Sequence, residues 1–261
     1  MITDKRIDGG RGFDWGRTSQ DYALYRDIYP TEFYERIAAK GLCTAGQRVL
    51  DLGTGTGVLP RNMYRFGAKW TGTDISPEQI KQAKAISGRE GKDIEFLTAS
   101  AETLDFPAGS FDVITACQCF FYFDHEVVMP KLAELLTDCG KLLILYMAWL
   151  PFDDERAGAS ESLVLKYNPA WSGAGETRRP IGIPNIAGKY FTVTDRELYD
   201  IPVHFTRESW HGRIRASRGV GASLSPEELS SWETEHRALV EQFPKEFDVL
   251  HYVASATLQK K

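Results

Sequence analysis

Residues 49–57 read VLDLGTGTG, a short apolar run closed by an acid and followed by three glycines at alternate positions. Val49, Leu50 and Leu52 predict a buried strand. Gly53, Gly55 and Gly57 predict a tight turn, because glycine enters positive φ without steric cost and leaves no side chain over the strand end. A turn of this kind suits a nucleotide-like cofactor. Its spacing is G-x-G-x-G, with Val58 where the dinucleotide fingerprint G-x-G-x-x-G has its third glycine. No Gly-Lys-Ser/Thr follows, which excludes a P-loop.

Outward from this turn, strands and helices alternate. VLPRNMYRFG (58–67) predicts a helix ending at Gly67, and KWTGTDIS (69–76) a second strand. SPEQIKQAKAISGREG (76–91) predicts a helix capped by Ser76 with Pro77 in its first turn. IEFLTAS (94–100) and FDVITACQC (111–119) predict strands three and four, with a loop between them. DHEVVMPKLAELL (124–136) predicts a helix and GKLLILYMAW (140–149) a fifth strand. Upstream, Pro30 opens an amphipathic helix that carries Phe33, Ile37 and Leu42 on one side. This rhythm predicts an α/β fold: a doubly wound, mostly parallel, seven-stranded Rossmann-like sheet with a helical and irregular cap. The glycine turn follows strand one, where such sheets bind ligands.

The rhythm breaks after residue 150. Residues 151–190 hold prolines, glycines and aromatics in a stretch too long for a structureless connection. They predict an insertion capping the active site. Residues 191–261 complete the sheet, with ELYDIPVHF (197–205) and FDVLHYVASATLQ (247–259) as strands. Between them lie helices over 208–218 and from Ser225, where Ser-Pro-Glu-Glu has the form of a capping box. Residues 1–21 are polar and glycine-rich and predict a flexible segment. Residues 22–150 form the predicted cofactor-binding core.

Bulk properties narrow the class. The 261 residues carry a formal net charge of -5, which points away from nucleic acid and from anionic membranes. No apolar stretch approaches the roughly 18 residues of a membrane span, and the first residues lack an apolar signal core. Four cysteines fit a reduced, cytoplasmic protein. Metal spacing is absent from the sequence: there is no H-E-x-x-H, and Cys117 and Cys119 are separated by one residue.

Two acids sharpen the ligand. Asp51 stands inside an apolar strand end, where a carboxylate needs donors or a cation. Asp74 closes strand two, 21 residues after Gly53, where a carboxylate accepts hydrogen bonds from ribose hydroxyls. Acid near the strand end suits a cofactor bearing an ammonium group better than one rich in phosphate.

With those residues in place, the chain resembles the class I, S-adenosylmethionine-dependent methyltransferases, specifically the small-molecule group with the type 11 core, over residues 22–148. VLDLGTGTG matches the family's V-L-D-x-G-x-G-x-G. TGTDIS matches its second-strand motif, and SAETLDFPAGSFDVI looks like its D-A-x-x-L-P-F-x-x-x-x-F-D segment. The resemblance implies S-adenosyl-L-methionine as cofactor, held by Asp51, Gly53, Thr54, Gly55, Gly57, Asp74 and Ile75. It extends to Ser100, Ala101 and Glu102 beside the adenine, Cys117 at the end of strand four, and Tyr22 and Arg26 in an aromatic-rich segment that also contains Tyr25. Ser100 departs from the family's aspartate, and Asp138-Cys139 replaces its usual Pro-Gly. Tyr122 stands where the family commonly has tryptophan.

The implied reaction is direct methyl displacement onto a small-molecule acceptor, without metal, nucleic acid or membrane as partner. Catalytic candidates are His125 and Tyr22. Acceptor-binding candidates are Tyr122, Trp171, His211 and Arg213, with Tyr167, Trp149 and Arg218 as further possibilities. His251 reads as a packed or surface residue. Alternatives are a non-catalytic S-adenosylmethionine-binding protein and an NAD-dependent oxidoreductase.

Overall fold

Arg48–Leu52 forms strand β1, whose last four residues are buried, as its apolar composition requires. In the computed structural model, which describes residues 2–261, this strand lies within a seven-stranded sheet. The other strands are β2 (Lys69–Asp74), β3 (Glu95–Thr98), β4 (Phe111–Cys117), β5 (Leu136–Trp149), β6 (Phe191–Thr206) and β7 (Glu246–Lys260). Their order is β3-β2-β1-β4-β5-β7-β6. Pairs β1–β2, β1–β4, β2–β3 and β4–β5 are parallel, as expected. Strand order reverses direction between β1 and β4, so the glycine turn after β1 stands at the topological switch point.

The helices are α1 (Ser19–Tyr25), α2 (Thr31–Ala39), α3 (Val58–Met63), α4 (Pro77–Arg89), α5 (His125–Leu135), α6 (Glu155–Tyr167), α7 (Ala187–Tyr190), α8 (Arg207–Arg215) and α9 (Pro226–Val240). Several begin as their sequences dictate. Ser76 accepts a hydrogen bond from Gln79 N at 3.3 Å, and Ser225 and Glu228 close a reciprocal capping box on α9. Gly67, at φ +86°, ends the short helical turn that follows α3.

The chain divides into two compact units. One comprises residues 29–147, 179–199 and 253–261, and holds the glycine turn. Its main core joins Leu50 and Leu52 of β1 to Ile114, Leu142 and Ile144 of the neighbouring strands, and to Val128, Met129 and Leu132 of α5. The other comprises residues 1–28, 148–178 and 200–252. Trp210 is fully buried there and donates to Ser160 Oγ at 2.9 Å.

Two stretches differ from expectation. Residues 155–167 of the insertion, where no helix was placed, are helical, because Asp154 caps two backbone N–H groups and the run ERAGASESLVLKY contains good helix formers. Their signal was masked by the Gly- and Pro-rich residues that follow. Residues 2–18 are not bare polar chain: Phe13 is buried, and Asp8 accepts two hydrogen bonds from Arg218 at 2.7 and 3.0 Å. A carboxylate placed against a guanidinium offsets the polarity that suggested flexibility. Among the described residues, no helix is long and apolar enough to cross a membrane.

The turn glycines set a stability test. Gly57 has φ +75°, and a Cβ there would lie 2.8 Å from Phe96 Cζ; Gly91 has φ +65° with open space around it. Gly91→Ala should cost about 1–2 kcal/mol from conformation alone. Gly57→Ala should cost about 3 kcal/mol or more, because overpacking adds to the strain. Urea denaturation of the two variants checks the order; equal losses would remove packing from the explanation.

Candidate functional site

The switch point gathers the glycine turn, two acids and the carboxyl ends of β1, β2 and β4 in one unit. All three glycines adopt positive φ: +56° at Gly53 and Gly55, +75° at Gly57. Packing reinforces two of them. A Cβ on Gly53 would meet Cys119 Cβ at 2.7 Å, and one on Gly57 would meet Phe96. Thr54 N donates to Thr73 O at 2.8 Å, tying the turn to β2. Thr54 and Thr56 are both buried, so these threonines belong to the interior of the turn.

Asp74 is fixed by backbone. Gly55 N donates to its Oδ2 and Ser76 N to its Oδ1, each at 2.9 Å. A carboxylate has about four acceptor positions, so each oxygen retains one. Burial raises the Asp74 pKa, opposed by the two backbone N–H groups. Next in sequence, Ile75 is 57% exposed, an apolar surface beside the acid.

Asp51 is only 1% exposed. Register explains its partner: Asp51 pairs with Thr115 across β1 and β4, and Thr115 Oγ1 donates to Asp51 Oδ1 at 2.6 Å. Burial pushes the Asp51 pKa up to about 7, against the stabilising hydroxyls of Thr115 and Thr54 and with a further push from Asp74. At neutral pH this carboxyl is divided between its protonated and ionised forms.

The remaining candidates of this unit surround the same strand ends. Cys117 Sγ donates to Tyr29 Oη at 3.5 Å, and Cys119 Sγ to Leu52 O at 3.0 Å. Burial holds the Cys119 thiol well above its ordinary pKa, so it is a packing group and not a nucleophile. Ser100 Oγ and Thr103 Oγ1 lie 3.0 Å apart, Ala101 is buried, and Glu102 Oε1 accepts from Asp124 N at 3.1 Å, near the start of α5. His125 Nε2 lies 3.0 Å from Phe120 O, so this nitrogen carries the proton and donates, and the ring packs on Phe120. Only Nδ1 is left to accept a proton. Tyr122 stands 4.3 Å from Phe121, ring to ring.

Four residues escaped the sequence reading. Thr115 was legible only through strand register. Gln118 follows β4 with φ +69°, uncommon for a non-glycine residue, and its Nε2 donates to Met147 O at 2.7 Å. Phe121 is 49% exposed and lies 5.9 Å from the Tyr146 ring. Tyr29 stacks on Phe33 at 4.5 Å. The run FFYF carried the Phe121 signal, whereas nothing local marked Gln118.

The other unit holds the other candidates. Tyr22 Oη accepts from Arg26 Nη2 at 2.9 Å, and the guanidinium lies over the Tyr22 ring. Tyr25 donates to Glu208 at 3.2 Å and packs where a Cβ on Gly212 would stand. Trp171 is buried against Gly173 and Gly219, and Trp149 donates to Glu161 at 2.9 Å beneath the Arg213 guanidinium. His211 is fully buried, with Nδ1 2.9 Å from His236 Nδ1 and its ring stacked on Trp232. Burial lowers its pKa to about 4, which removes it as a cationic substrate ligand at neutral pH. His251, read as packed or surface, is fully buried, with Nδ1 2.9 Å from Val249 O. Arg218 does bind a carboxylate, but that of Asp8. Tyr167 donates to Glu235 at 2.7 Å. Among the described residues, no cluster of three or more His, Cys, Asp or Glu is placed to hold a metal.

The chain is similar to known methyltransferases. Residues 49–140 match the family model described as a methyltransferase domain. Over 131 residues the chain is 38% identical to a ubiquinone biosynthesis O-methyltransferase of Nitrosococcus oceani, covering 49% of this chain and 52% of that protein. Over 147 residues it is 36% identical to a demethylmenaquinone methyltransferase of Thermus thermophilus, covering 55% and 59%. The chain thus spans about half the length of the curated relatives it matches. The fold superposes on the YcgJ protein of a Bacillus species with a TM-score of 0.54 at 19% identity, covering 87% of this chain and 98% of that one.

The buried acid sets the test for this site. Because the folded pKa of Asp51, about 7, exceeds its ordinary value of 3.8, the folded state holds the proton more tightly than the unfolded state between those values. Its contribution to stability is therefore present below about pH 4 and lost as pH rises through 7. Asp51→Asn removes that loss, so the melting temperature of the variant relative to wild type should climb between pH 5 and pH 8. A difference that stays flat over this range would place the Asp51 pKa at an ordinary carboxylate value.

Proposed function

We propose that this chain, whose residues 49–140 match a methyltransferase domain, is a class I, S-adenosylmethionine-dependent methyltransferase with the type 11 core and that it methylates a small-molecule acceptor. The observation that carries the proposal is Asp74, oriented by the Gly55 and Ser76 N–H groups with an acceptor position left on each oxygen. That arrangement suits the two hydroxyls of a ribose. Asp51, buried and short of donors, suits an ammonium group, and Ile75 suits the face of an adenine. The turn glycines keep side chains out of this space.

When bound, S-adenosyl-L-methionine supplies an activated methyl group on a sulfonium whose departure leaves a neutral thioether. The protein's task is alignment and exclusion of water. Ser100, Ala101, Glu102 and Cys117 would border the cofactor, the first three near its adenine. Phe121, Tyr122 and Tyr146 form an aromatic group following β4 and within β5 that would receive a flat acceptor. The O-methyltransferase and quinone-related names of the relatives favour a ring-bearing acceptor. His125, through Nδ1, is the candidate for taking an acceptor proton. An exposed thiol at Cys139 suits a reducing, cytoplasmic setting.

Screening ring-bearing hydroxy and amino compounds with a methyl-labelled donor tests the proposal. Label should enter an acceptor; binding without transfer to any compound would favour a non-catalytic S-adenosylmethionine-binding protein. Asp74→Ala should weaken cofactor affinity at least tenfold, about 1.4 kcal/mol, because it removes a charged hydrogen-bond acceptor. Phe121→Ala should raise the acceptor KM several-fold at unchanged cofactor affinity. An Asp74→Ala protein that binds cofactor normally would overturn the ribose assignment.

A further inference from the structure

Gln118, the residue after β4, holds a backbone conformation that glutamine does not favour, with φ +69°. For a residue with a Cβ this left-handed region carries a conformational cost, and glycine is the cheap occupant. The chain places glycine at Gly53, Gly55 and Gly57 for that reason, yet keeps a long side chain here. Main chain holds the residue in place, because its N–H donates to Leu145 O at 2.9 Å. Its Nε2 donates to Met147 O at 2.7 Å. One neutral hydrogen bond of that kind does no more than offset the conformational cost, so the fold gains little from glutamine over glycine.

The contact with Met147 O also fixes how the amide faces. A carbonyl oxygen only accepts, so the NH2 end of the amide is turned toward Met147 and the oxygen lies at the other end. Among the described residues Gln118 Oε1 has no hydrogen-bond partner, and the side chain is half-buried. The two parts of the site flank it. Cys119, next in the chain, packs on Gly53, where a Cβ would come within 2.7 Å of it. Met147 follows Tyr146, whose ring lies 5.9 Å from Phe121. Gln118 therefore stands between the glycine turn and the aromatic group with an acceptor oxygen to spare. Backbone strain of this kind gathers where a side chain serves a ligand.

We propose that Gln118 orients the methyl acceptor, its Oε1 accepting a hydrogen bond from an O–H or N–H on the acceptor ring. This role deepens the methyltransferase reading above and rests on it. An amide accepts a hydrogen bond but cannot carry off a proton, so Gln118 is an orienting group and no base. The hydrogen it holds is therefore one that the acceptor keeps through the reaction, that of a second hydroxyl or amino group beside the one that is methylated. The acceptor class narrows accordingly to rings bearing two neighbouring donors. A ring held this way is kept from turning its reacting atom out of line, which is the alignment that methyl displacement needs. A site that reads a donor also rejects an analogue lacking it, because its own acceptor is then left unpaired.

Calorimetric titration of the full chain, saturated with S-adenosylhomocysteine, tests this with catechol and 2-fluorophenol, rings of similar size that differ in one donor. Catechol should bind at least fivefold more tightly. In a further arm 2-aminophenol should also bind more tightly than 2-fluorophenol, and its rank against catechol tells the amino from the hydroxyl hydrogen. Gln118→Met keeps the length of the side chain without the acceptor, and Gln118→Gly also relieves the strained φ. In both variants the preference for catechol should fall to within twofold, while S-adenosylhomocysteine affinity stays at the wild-type value and certifies the fold. Equal binding of catechol and 2-fluorophenol by the wild type, saturation by neither up to about 10 mM, or a fivefold preference that survives in a variant would each overturn the proposal. Loss of S-adenosylhomocysteine affinity in both variants would make Gln118 a structural residue and overturn it as well. Failure of the wild type to bind S-adenosylhomocysteine would overturn the methyltransferase reading along with it.

Discussion

A buried carboxylate at the end of β1 constrains everything around it. Asp51 cannot reach water, so its oxygens depend on what the neighbouring strand offers, and the β1–β4 register supplies Thr115 at 2.6 Å. A slip of one residue would turn Thr115 to the opposite face. The apolar core formed by Leu50, Leu52, Ile114 and Ile144 therefore does more than stabilise the sheet. It sets the register that keeps the acid tolerable. The unmet remainder of that desolvation cost appears as a carboxyl poised near neutrality.

The same logic separates the two acids. Asp74 closes β2 where backbone N–H groups converge, so its orientation is determined by main chain and not by a partner side chain. Such a carboxylate is positioned before any ligand arrives, which lowers the ordering cost of binding. The glycines make this possible. Positive φ at Gly55 turns its N–H toward Asp74, and missing Cβ atoms at Gly53 and Gly57 admit Cys119 and Phe96. The turn is thus shaped by protein packing as much as by the space a ligand needs.

Local signals in the sequence were enough for most of the sheet. Alternating apolar runs, the Ser76 and Ser225 caps and the glycine turn each express a short-range rule, and the two capped helices begin where that rule placed them, whereas β5 and β6 start earlier than their apolar runs, at Leu136 and Phe191. Long-range pairings were not legible. Arg218 looked like a substrate ligand because Asp8 lies 210 residues away, and His211 because His236 and Trp232 on α9 were invisible to a local reading. Helix α6 was hidden by the Pro- and Gly-rich run that follows it. Gln118 shows the limit most clearly: its positive φ answers to the end of β4 and to Met147 O, and glutamine itself carries no such preference.

The central claim is that an ammonium-bearing cofactor is held at the turn between Asp51 and Asp74. Its most direct test is the proton balance of S-adenosylmethionine binding, from calorimetry at pH 6 and pH 8 in buffers of different ionisation heat. An ammonium group beside Asp51 drives that carboxyl to its ionised form, so binding at pH 6 should release close to one proton, and that release should be lost at pH 8, where Asp51 is already ionised. Binding with no proton release at pH 6, or no binding at all, would contradict the account.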